Sequence, residues 1–202
     1  NDVTSEEELF KSKDGQDAWS ARKVLAEING LSPNVKTQTQ AEKFLFGDDP
    51  TPQDKFNWYD LATEFPGYTF DKFKKKSEFM GEDPSEGGYV YAEPGVYENV
   101  IVLDIASMHP HSLIAMNYFG PYTPKFAALV KCRMAIKHGK IDEASHAFDE
   151  VDPELADKLR PYLEGGSVKG LAHALKIIIN IVYGMTSAPW PNKFKDPRNI
   201  DN

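Results

Sequence analysis

The sequence predicts an α+β fold, and three segments indicate it. Residues 99–103 are a β-branched, nearly continuous apolar run between a glycine and a proline, which is typical of a buried strand. Residues 175–184 are strongly apolar and follow a Gly-Gly-Ser break, which favours a helix that ends near a glycine. Residues 17–28 also have a helical pattern, and an Asn-Gly pair follows them.

Glycine and proline residues divide the rest of the chain. Residues 32–65 are predicted to be rich in loops, residues 86–103 to hold strands, and residues from 124 to about 140 to form a helix. Residues 141–164 are predicted to be an acidic, partly helical connector. Within the loop-rich stretch we expect the aromatic residues to be core residues rather than surfaces for base stacking; they are Phe44, Phe46, Phe56, Trp58, Tyr59 and Phe65.

The composition is typical of a soluble globular protein. The 202 residues are 41% hydrophobic and 27% charged, which is enough to bury a core. The single cysteine, Cys132, excludes an internal disulfide framework and fits a reducing compartment. No apolar stretch approaches the roughly 20 residues that span a membrane, and the first residues lack the pattern of a signal peptide. We therefore expect a cytoplasmic protein, in the host cytoplasm if it is viral, without a membrane partner.

The net charge of −8 is unevenly distributed. Residues 1–100 contain 11 Lys and Arg against 20 Asp and Glu, which gives −9, whereas residues 101–202 contain 12 against 11, which gives +1. This balance excludes the basic stripe of a strong non-specific nucleic-acid binder, so any DNA affinity should be weak and salt-sensitive. The densest basic patch either contacts a nucleic-acid backbone or is a solvated loop; it comprises Lys72, Lys74, Lys75 and Lys76.

Asp104 follows directly after the predicted strand at residues 99–103. A carboxylate at the end of a strand suits Mg²⁺, which binds few protein carboxylates and fills its octahedron with water and substrate phosphates. The alternative is that Asp104 only caps the strand or forms a turn.

The helix predicted at residues 175–184 has one polar face. Lys176, Asn180 and Tyr183 are spaced i, i+4 and i+7, so they share a side of the helix. A core helix with a snorkelling lysine would explain the apolar residues. It does not explain an asparagine beside the lysine on so apolar an element.

These two segments resemble motifs of the family B DNA polymerases. Their sequences are most similar to those of bacteriophage-type members. Residues 104–110, D-I-A-S-M-H-P, resemble motif A, D-x-x-S-L-Y-P-S. Residues 176–184, K-I-I-I-N-I-V-Y-G, resemble motif B, K-x-x-x-N-S-x-Y-G. Residues 87–100 are similar to the segment that leads into motif A. Between the two motifs, Arg133 and Lys137 resemble the R-x-x-x-K pair of the first fingers helix, although Lys131 and Lys140 nearby also allow an ordinary solvated basic face.

The resemblance implies template-directed addition of dNTPs to a primer 3′ end by two-metal phosphoryl transfer. It implies that Asp104 and the backbone carbonyl of Ile105 bind Mg²⁺, and that Lys176 also serves the chemistry. It further implies a nucleotide-binding set that contacts the phosphates and the nascent base pair; this set is Ser107, Met108, His109, Arg133, Lys137, Lys176, Asn180 and Tyr183.

The sequence departs from the family pattern at several points. His109 replaces the tyrosine that packs under the deoxyribose, and His111 replaces the following serine. Two histidines around a proline without a third ligand make a poor zinc site. The second carboxylate element of the family, motif C (D-T-D), does not occur. Asp2 resembles an exonuclease carboxylate, but a surface aspartate explains it more simply.

The resemblance divides the chain into parts of a polymerase. Residues 1–85 would be a pre-palm region of loops and helices, residues 86–125 part of an antiparallel palm with motif A, residues 126–184 a helical fingers hairpin with motif B, and residues 185–202 the return to the palm. The expected partners are primer-template DNA, dNTP and the remainder of the polymerase, and this chain alone is expected to be inactive. The alternatives are a non-catalytic DNA- or nucleotide-binding module and an interaction protein that retains these motifs.

Overall fold

The computed structural model describes residues 8, 11–71, 73–74, 76–84, 91–165 and 167–199. The longer helices are α1 (Lys13–Asn29), α2 (Thr37–Phe46), α4 (Met108–Ala115), α5 (Thr123–Lys137), α7 (Pro153–Glu164) and α8 (Val168–Thr186). The shorter ones are α3 (Leu61–Glu64) and α6 (Ile141–Ser145), with 3₁₀ turns at Pro52–Lys55, Gly120–Tyr122 and Pro197–Asn199. Two strands, β1 (Thr69–Asp71) and β2 (Lys76–Glu78), pair in antiparallel fashion. The predicted α+β class is therefore confirmed.

Helix α1 has strong signals at both ends. The Ser12 hydroxyl accepts a hydrogen bond from the amide of Gly15 at 3.0 Å, which satisfies one free donor of the first turn. Gly30 follows the helix with φ of +65°, and its amide donates to carbonyls of the last turn. The helix predicted at residues 17–28 is confirmed, and it begins earlier because Ser12 caps it.

Helix α8 lies at the centre of the packing. It contacts α1, α2, α4, α5 and α7, and its inner face is completely or almost completely buried at Leu171, Ala174, Leu175, Ile178 and Val182. The helix predicted from residues 175–184 is confirmed and extends to 19 residues. The expectation that no apolar stretch approaches the length of a membrane span is wrong for α8, which by length and composition alone is apolar enough to cross a membrane; core helices pass the same test.

A cluster of aromatic rings joins distant parts of the chain. The Phe46 ring contacts Phe56, Phe119, Tyr122 and Phe194, with centroid distances from 5.1 to 6.0 Å. Such tilted and edge-to-face pairs stabilise a core beyond the area that they bury.

The aromatic residues predicted to be core residues divide into three groups by their exposure. Phe44, Phe46 and Phe56 are buried, as predicted, but Trp58 and Phe65 are about half exposed, at 48% and 49%. Tyr59 is partly buried and donates its hydroxyl to the carbonyl of Met116.

The prediction of a loop-rich stretch at residues 32–65 is wrong for α2. Ala41, Phe44 and Leu45 are spaced i, i+3 and i+4 and are all buried, so one face of a helix packs on the core. The buried Gln40 side chain donates to the Ser32 carbonyl at 3.0 Å and accepts from Asn29 at 3.1 Å. The loop prediction followed the prolines and glycines of this stretch. Burial of one apolar face nevertheless orders residues 37–46 as a helix.

The strand predicted at residues 99–103 is also wrong. These residues are exposed coil, and Asn99 has φ of +58°. A strand needs a neighbour to pair its amides and carbonyls, and the described residues contain no strand beside this run. Of the strands predicted at 86–103, residues 86–90 lie outside the described residues.

The other helical predictions are confirmed. Helix α5 covers most of the predicted stretch from 124 to about 140, and α6 and α7 lie within residues 141–164. Asp152 caps α7 by accepting from the Leu155 amide at 3.0 Å.

The basic patch lies on the β1–β2 hairpin. Lys74 and Lys76 are exposed there, while Lys72 and Lys75 fall outside the described residues, as does Asp2. A role of this patch in contacting DNA stays a prediction.

Near the C-terminal end of the described chain, a buried carboxylate is neutralised locally. Asp196 is fully buried, and the Arg198 guanidinium donates to both of its oxygens at 2.6 to 3.1 Å. Arg198 also donates to the carbonyl of Phe56 at 2.9 Å. A paired and hydrogen-bonded buried charge avoids the large cost of an isolated one, so this pair fixes residues 194–198 beside the aromatic cluster.

A substitution at Gly120 tests how closely the backbone is packed beside the aromatic cluster. It has φ of +55°, and a Cβ there would lie 2.1 Å from the carbonyl oxygen of Lys55. We expect Gly120→Ala to lower the free energy of unfolding by more than about 3 kcal/mol, because backbone must move. Gly30→Ala is the control, since Gly30 has φ of +65° but open space around it, and it should cost only about 1 kcal/mol. Urea denaturation measures both; equal losses would contradict the clash.

Candidate functional site

Three separate segments of the chain meet around one cleft of about 280 Å³. The segments are the start of α4, the second half of α5 and the middle of α8. We call this space the cationic cleft; its lining comprises Ser107, Met108, His109, Pro110, Arg133, Met134, Lys137, Lys176, Ile179 and Asn180.

The structure brings most of the predicted site residues together here. Seven of them line the cleft. Tyr183 lies beside it, because its ring stacks on the lining residue His109 with centroids 4.1 Å apart and planes inclined by 19°. This stack joins α4 to α8. The Ser107 hydroxyl lies 3.7 Å from the Met134 sulfur and joins the start of α4 to α5.

Helix α4 begins at a residue with an unusual backbone conformation. Ser107 has φ of +54° and ψ of +47°, in the left-handed region that non-glycine residues rarely adopt. Its carbonyl accepts from the His111 amide at 3.2 Å and lies 3.0 Å from the His111 ring nitrogen. These contacts hold the turn that directs Met108 and His109 toward the cleft.

The charge of the cleft is positive. Arg133, Lys137 and Lys176 line it, and none of the ten lining residues is an acid. Arg133 and Lys137 are four residues apart on α5, so they share one face of that helix. Across the described part of the chain, no carboxylate lies within 4.0 Å of these three cations.

The Arg133 side chain is the clearest indication that the cleft suits an anion. Its Nε is buried and has no hydrogen-bond partner among the residues that the structure describes, although a buried donor without an acceptor is costly. An anion with several oxygens in the cleft would accept from Arg133 and neutralise both lysines. Phosphate groups suit this donor set because a guanidinium binds them in a bidentate manner.

The two predicted metal-binding residues lie apart from the cleft lining. Asp104 is exposed in the coil before α4, and Ile105 is 69% exposed and lines a different groove. No group of three or more His, Cys, Asp or Glu that could hold a metal ion is found among the described residues. One exposed carboxylate does not by itself fit a pair of Mg²⁺ ions, and the described residues likewise give no third ligand for His109 and His111.

Three cleft residues were not singled out from the sequence. Ile179 lies three residues after Lys176, so helical spacing alone would have placed it beside that lysine. Pro110 belongs to the motif that supplies its neighbours. Met134 gives no such signal, because an isolated methionine next to an arginine is ordinary on a helix.

Cys132 lies beside Arg133 in sequence but is fully buried in the core. Burial in apolar surroundings raises the pKa of its thiol to about 12, so the thiol stays protonated at neutral pH. Since the thiolate is the reactive form, this buried position disfavours a nucleophilic role for Cys132.

No family model, no curated protein and no solved structure matches this chain. The interpretation of the cleft therefore depends on its geometry and on the motifs themselves.

The buried thiol leads to a simple test. At pH 8 Cys132 in the folded protein should resist the thiol reagent DTNB, because that pH is far below its raised pKa, and it should react fully in denaturant. Ser187→Cys places a second thiol at an exposed position, and that variant should show one fast-reacting thiol. Rapid labelling of the folded wild-type protein would contradict the buried position.

Proposed function

We propose that the cationic cleft binds the triphosphate of an incoming dNTP and that this chain forms part of a template-directed DNA polymerase of the family B type. The observation that carries the proposal is the meeting of residues 107–110, Arg133 with Lys137, and Lys176 with Asn180 around one cleft. These segments resemble three separate polymerase motifs, and they are up to about 70 residues apart in sequence.

The proposed role of the three cations is electrostatic. In phosphoryl transfer the primer 3′ hydroxyl loses its proton to solvent and its oxygen bonds to the α-phosphorus. The bond from that phosphorus to the oxygen that bridges to the β-phosphorus breaks, and pyrophosphate leaves with the electron pair. Negative charge accumulates on the phosphate oxygens, and positioned cations stabilise it. Arg133, Lys137 and Lys176 would hold the β- and γ-phosphates, and Asn180 and the Tyr183–His109 stack would border the base and sugar.

The remaining parts of the proposal lie beyond the cleft. Asp104 would be one Mg²⁺ ligand, with the Ile105 carbonyl beside it, and further carboxylates would come from the remainder of the polymerase. Mg²⁺ would supply Lewis-acid chemistry when it is bound. Primer-template DNA would be the second substrate, and the reaction would take place in the cytoplasm.

A non-catalytic nucleotide-binding module is the second candidate. It is favoured by the exposed position of Asp104 outside the lining of the cleft. Both candidates require anion binding in the cleft, and only the first requires Asp104.

Nucleotide binding tests the cleft in the chain alone. We expect Lys137→Ala and Lys176→Ala each to weaken dNTP binding about tenfold in calorimetry, because each removes a charge-assisted contact to phosphate. Lys131→Ala is the matched control: Lys131 lies on the same helix as Lys137 but lines the other groove. Unchanged affinity in both cleft variants would exclude the cleft as the nucleotide site.

Primer extension separates the two candidates. The chain, mixed with the polypeptide encoded immediately downstream, Mg²⁺ and dNTPs, is expected to extend a primer, and Asp104→Asn should abolish extension. Asp142→Asn, at an exposed aspartate of α6, should leave it unchanged. An associated mixture that binds dNTP but does not extend the primer would favour the non-catalytic module.

A further inference from the structure

Helix α5 also borders a second and larger groove. This groove has a volume of about 1100 Å³ and lies between α4, α5, α6 and the turn that joins α6 to α7. We call it the apolar groove, and its apolar lining includes Ile105, Ile114, Ala127, Met134, Ala147 and Val151. Ile105 and Val151 are exposed. A contiguous apolar surface of this kind on a soluble protein marks an interaction site.

The apolar groove follows most of α5. The part of the lining that α5 supplies begins at Pro124 and ends at His138, which is about 21 Å at a rise of 1.5 Å per residue. Ala127, Lys131 and Met134 are spaced i, i+4 and i+7, so one face of α5 forms the floor. The small side chain of Ala127 lets another helix approach closely. The length therefore suits about four turns of a bound helix.

The walls of the groove leave few backbone groups to pair with a bound chain. Helices α4, α5 and α6 pair their amides and carbonyls internally, and the amides of Ala147 and Val151 already donate to nearby carbonyls. Strands β1 and β2, the only strands in the described part of the chain, do not line the groove. An extended peptide on this floor would leave polar backbone groups unpaired, which is costly, whereas a helix pairs its own.

Charge indicates the chemistry of the bound helix. Residues 141–164, which form α6, α7 and their connection, contain 8 Asp and Glu against 2 Lys and Arg, which gives −6. In the lining of this wall Asp149 pairs with Arg160 at 2.7 Å. Glu150 is exposed and has no cation within 4.0 Å in the described part of the chain. Basic side chains on the adjacent flank of a bound helix complement this wall, and a neutral or acidic residue suits the opposite flank, beside Lys131.

A second copy of this chain is a poor occupant of the groove. Among the described helices, α1, α2, α7 and α8 already bury their apolar faces in their own core, with Leu25, Phe44, Leu159 and Ile178 among the buried residues. The net charge of −8 also opposes association of two copies. These observations favour a different polypeptide.

We propose that the apolar groove is the docking site for an amphipathic helix of a partner protein, with aliphatic residues facing α5 and Lys or Arg on the flank toward residues 141–151. The aliphatic residues cover Ile114, Ala127 and Val151, and a basic residue pairs with Glu150. This docking site does not depend on the proposed function, because none of the three cations of the cleft lines the apolar groove.

Fluorescence anisotropy with designed peptides tests the proposal. The probe is a dye-labelled peptide of about 18 residues, long enough to be helical, with Leu on one face, Lys on one flank and Gln elsewhere. It should bind the chain, and replacement of its Lys by Glu should weaken binding about tenfold or more. A peptide of the same composition in scrambled order should not bind. Absence of binding by the probe, or equal binding by the scrambled peptide, overturns the proposal.

Matched variants locate the bound peptide. Ala127→Glu places a charge on the apolar floor and should weaken binding of the probe about tenfold or more, because the charge loses water without gaining a partner. Ala62→Glu makes the same change at an exposed position of α3 outside the lining, and it should bind like wild type. Since Ala127 is partly exposed, both variants should keep the wild-type melting temperature. Equal affinities of the two variants overturn the assignment to the groove.

A charge reversal tests the flank. Glu150→Lys should weaken binding of the Lys peptide and strengthen binding of the Glu peptide. Glu64→Lys, at an exposed position of α3, alters the net charge equally but away from the groove, so it should change neither affinity. If both variants shift the affinities alike, net charge explains the binding and the proposed orientation fails.

Two further measurements separate docking from the cleft and from self-association. Lys176→Ala removes a cation of the cleft and should leave peptide binding unchanged, so a failure of nucleotide binding and a failure of docking are distinguishable. Light scattering should show the chain alone to be a monomer. A dimer that Ala127→Glu dissociates overturns the proposal, because a second copy would then occupy the groove.

Discussion

Burial of one face of α8 is the interaction on which the rest of the structure depends. Leu171, Leu175, Ile178 and Val182 pack against α1, α2, α5 and α7, and each is 0% exposed. Burial of an aliphatic side chain contributes about 1.5–3 kcal/mol, so this face is a major part of the stability. Because 3.6 residues complete a turn, the same packing fixes where Lys176 and Asn180 point. The core and the cleft are two sides of one helix.

Local patterns were enough to predict most of the helices. Residues 17–28, the stretch after residue 124 and residues 175–184 have periodic apolar positions and recognisable ends, and these signals are encoded within each segment. Helix α2 was missed because turn-forming residues surround it and because its order depends on burial of Phe44 and Leu45 in a core built by other segments. The aromatic cluster is of the same kind: Phe46, Phe119 and Phe194 meet only after the whole chain has folded.

The cleft and the strand predicted at residues 99–103 show the same contrast. Short motifs with helical spacing predicted which residues of α5 and α8 share a face, and the folded chain brings these faces to one cleft with His109 and Tyr183 stacked beside it. Residues 99–103 have the composition of a strand, but strand formation depends on a neighbour that no local pattern supplies. The placement of Asp104 at the end of a strand was therefore wrong for the same reason, while its role as a Mg²⁺ ligand stays a prediction.

The three cations of the cleft have a thermodynamic consequence for the fold. Arg133 and Lys137 belong to one helix and Lys176 to another, so without a bound anion like charges oppose the contact between α5 and α8 that the core requires. An anion bound between these cations would replace the repulsion between the two helices by attraction. Ligand binding and cohesion of the helices are then linked, and any anion that binds only the folded chain raises its stability in proportion to the logarithm of ligand concentration. An anion bound between Arg133, Lys137 and Lys176 would therefore strengthen the packing of α5 against α8.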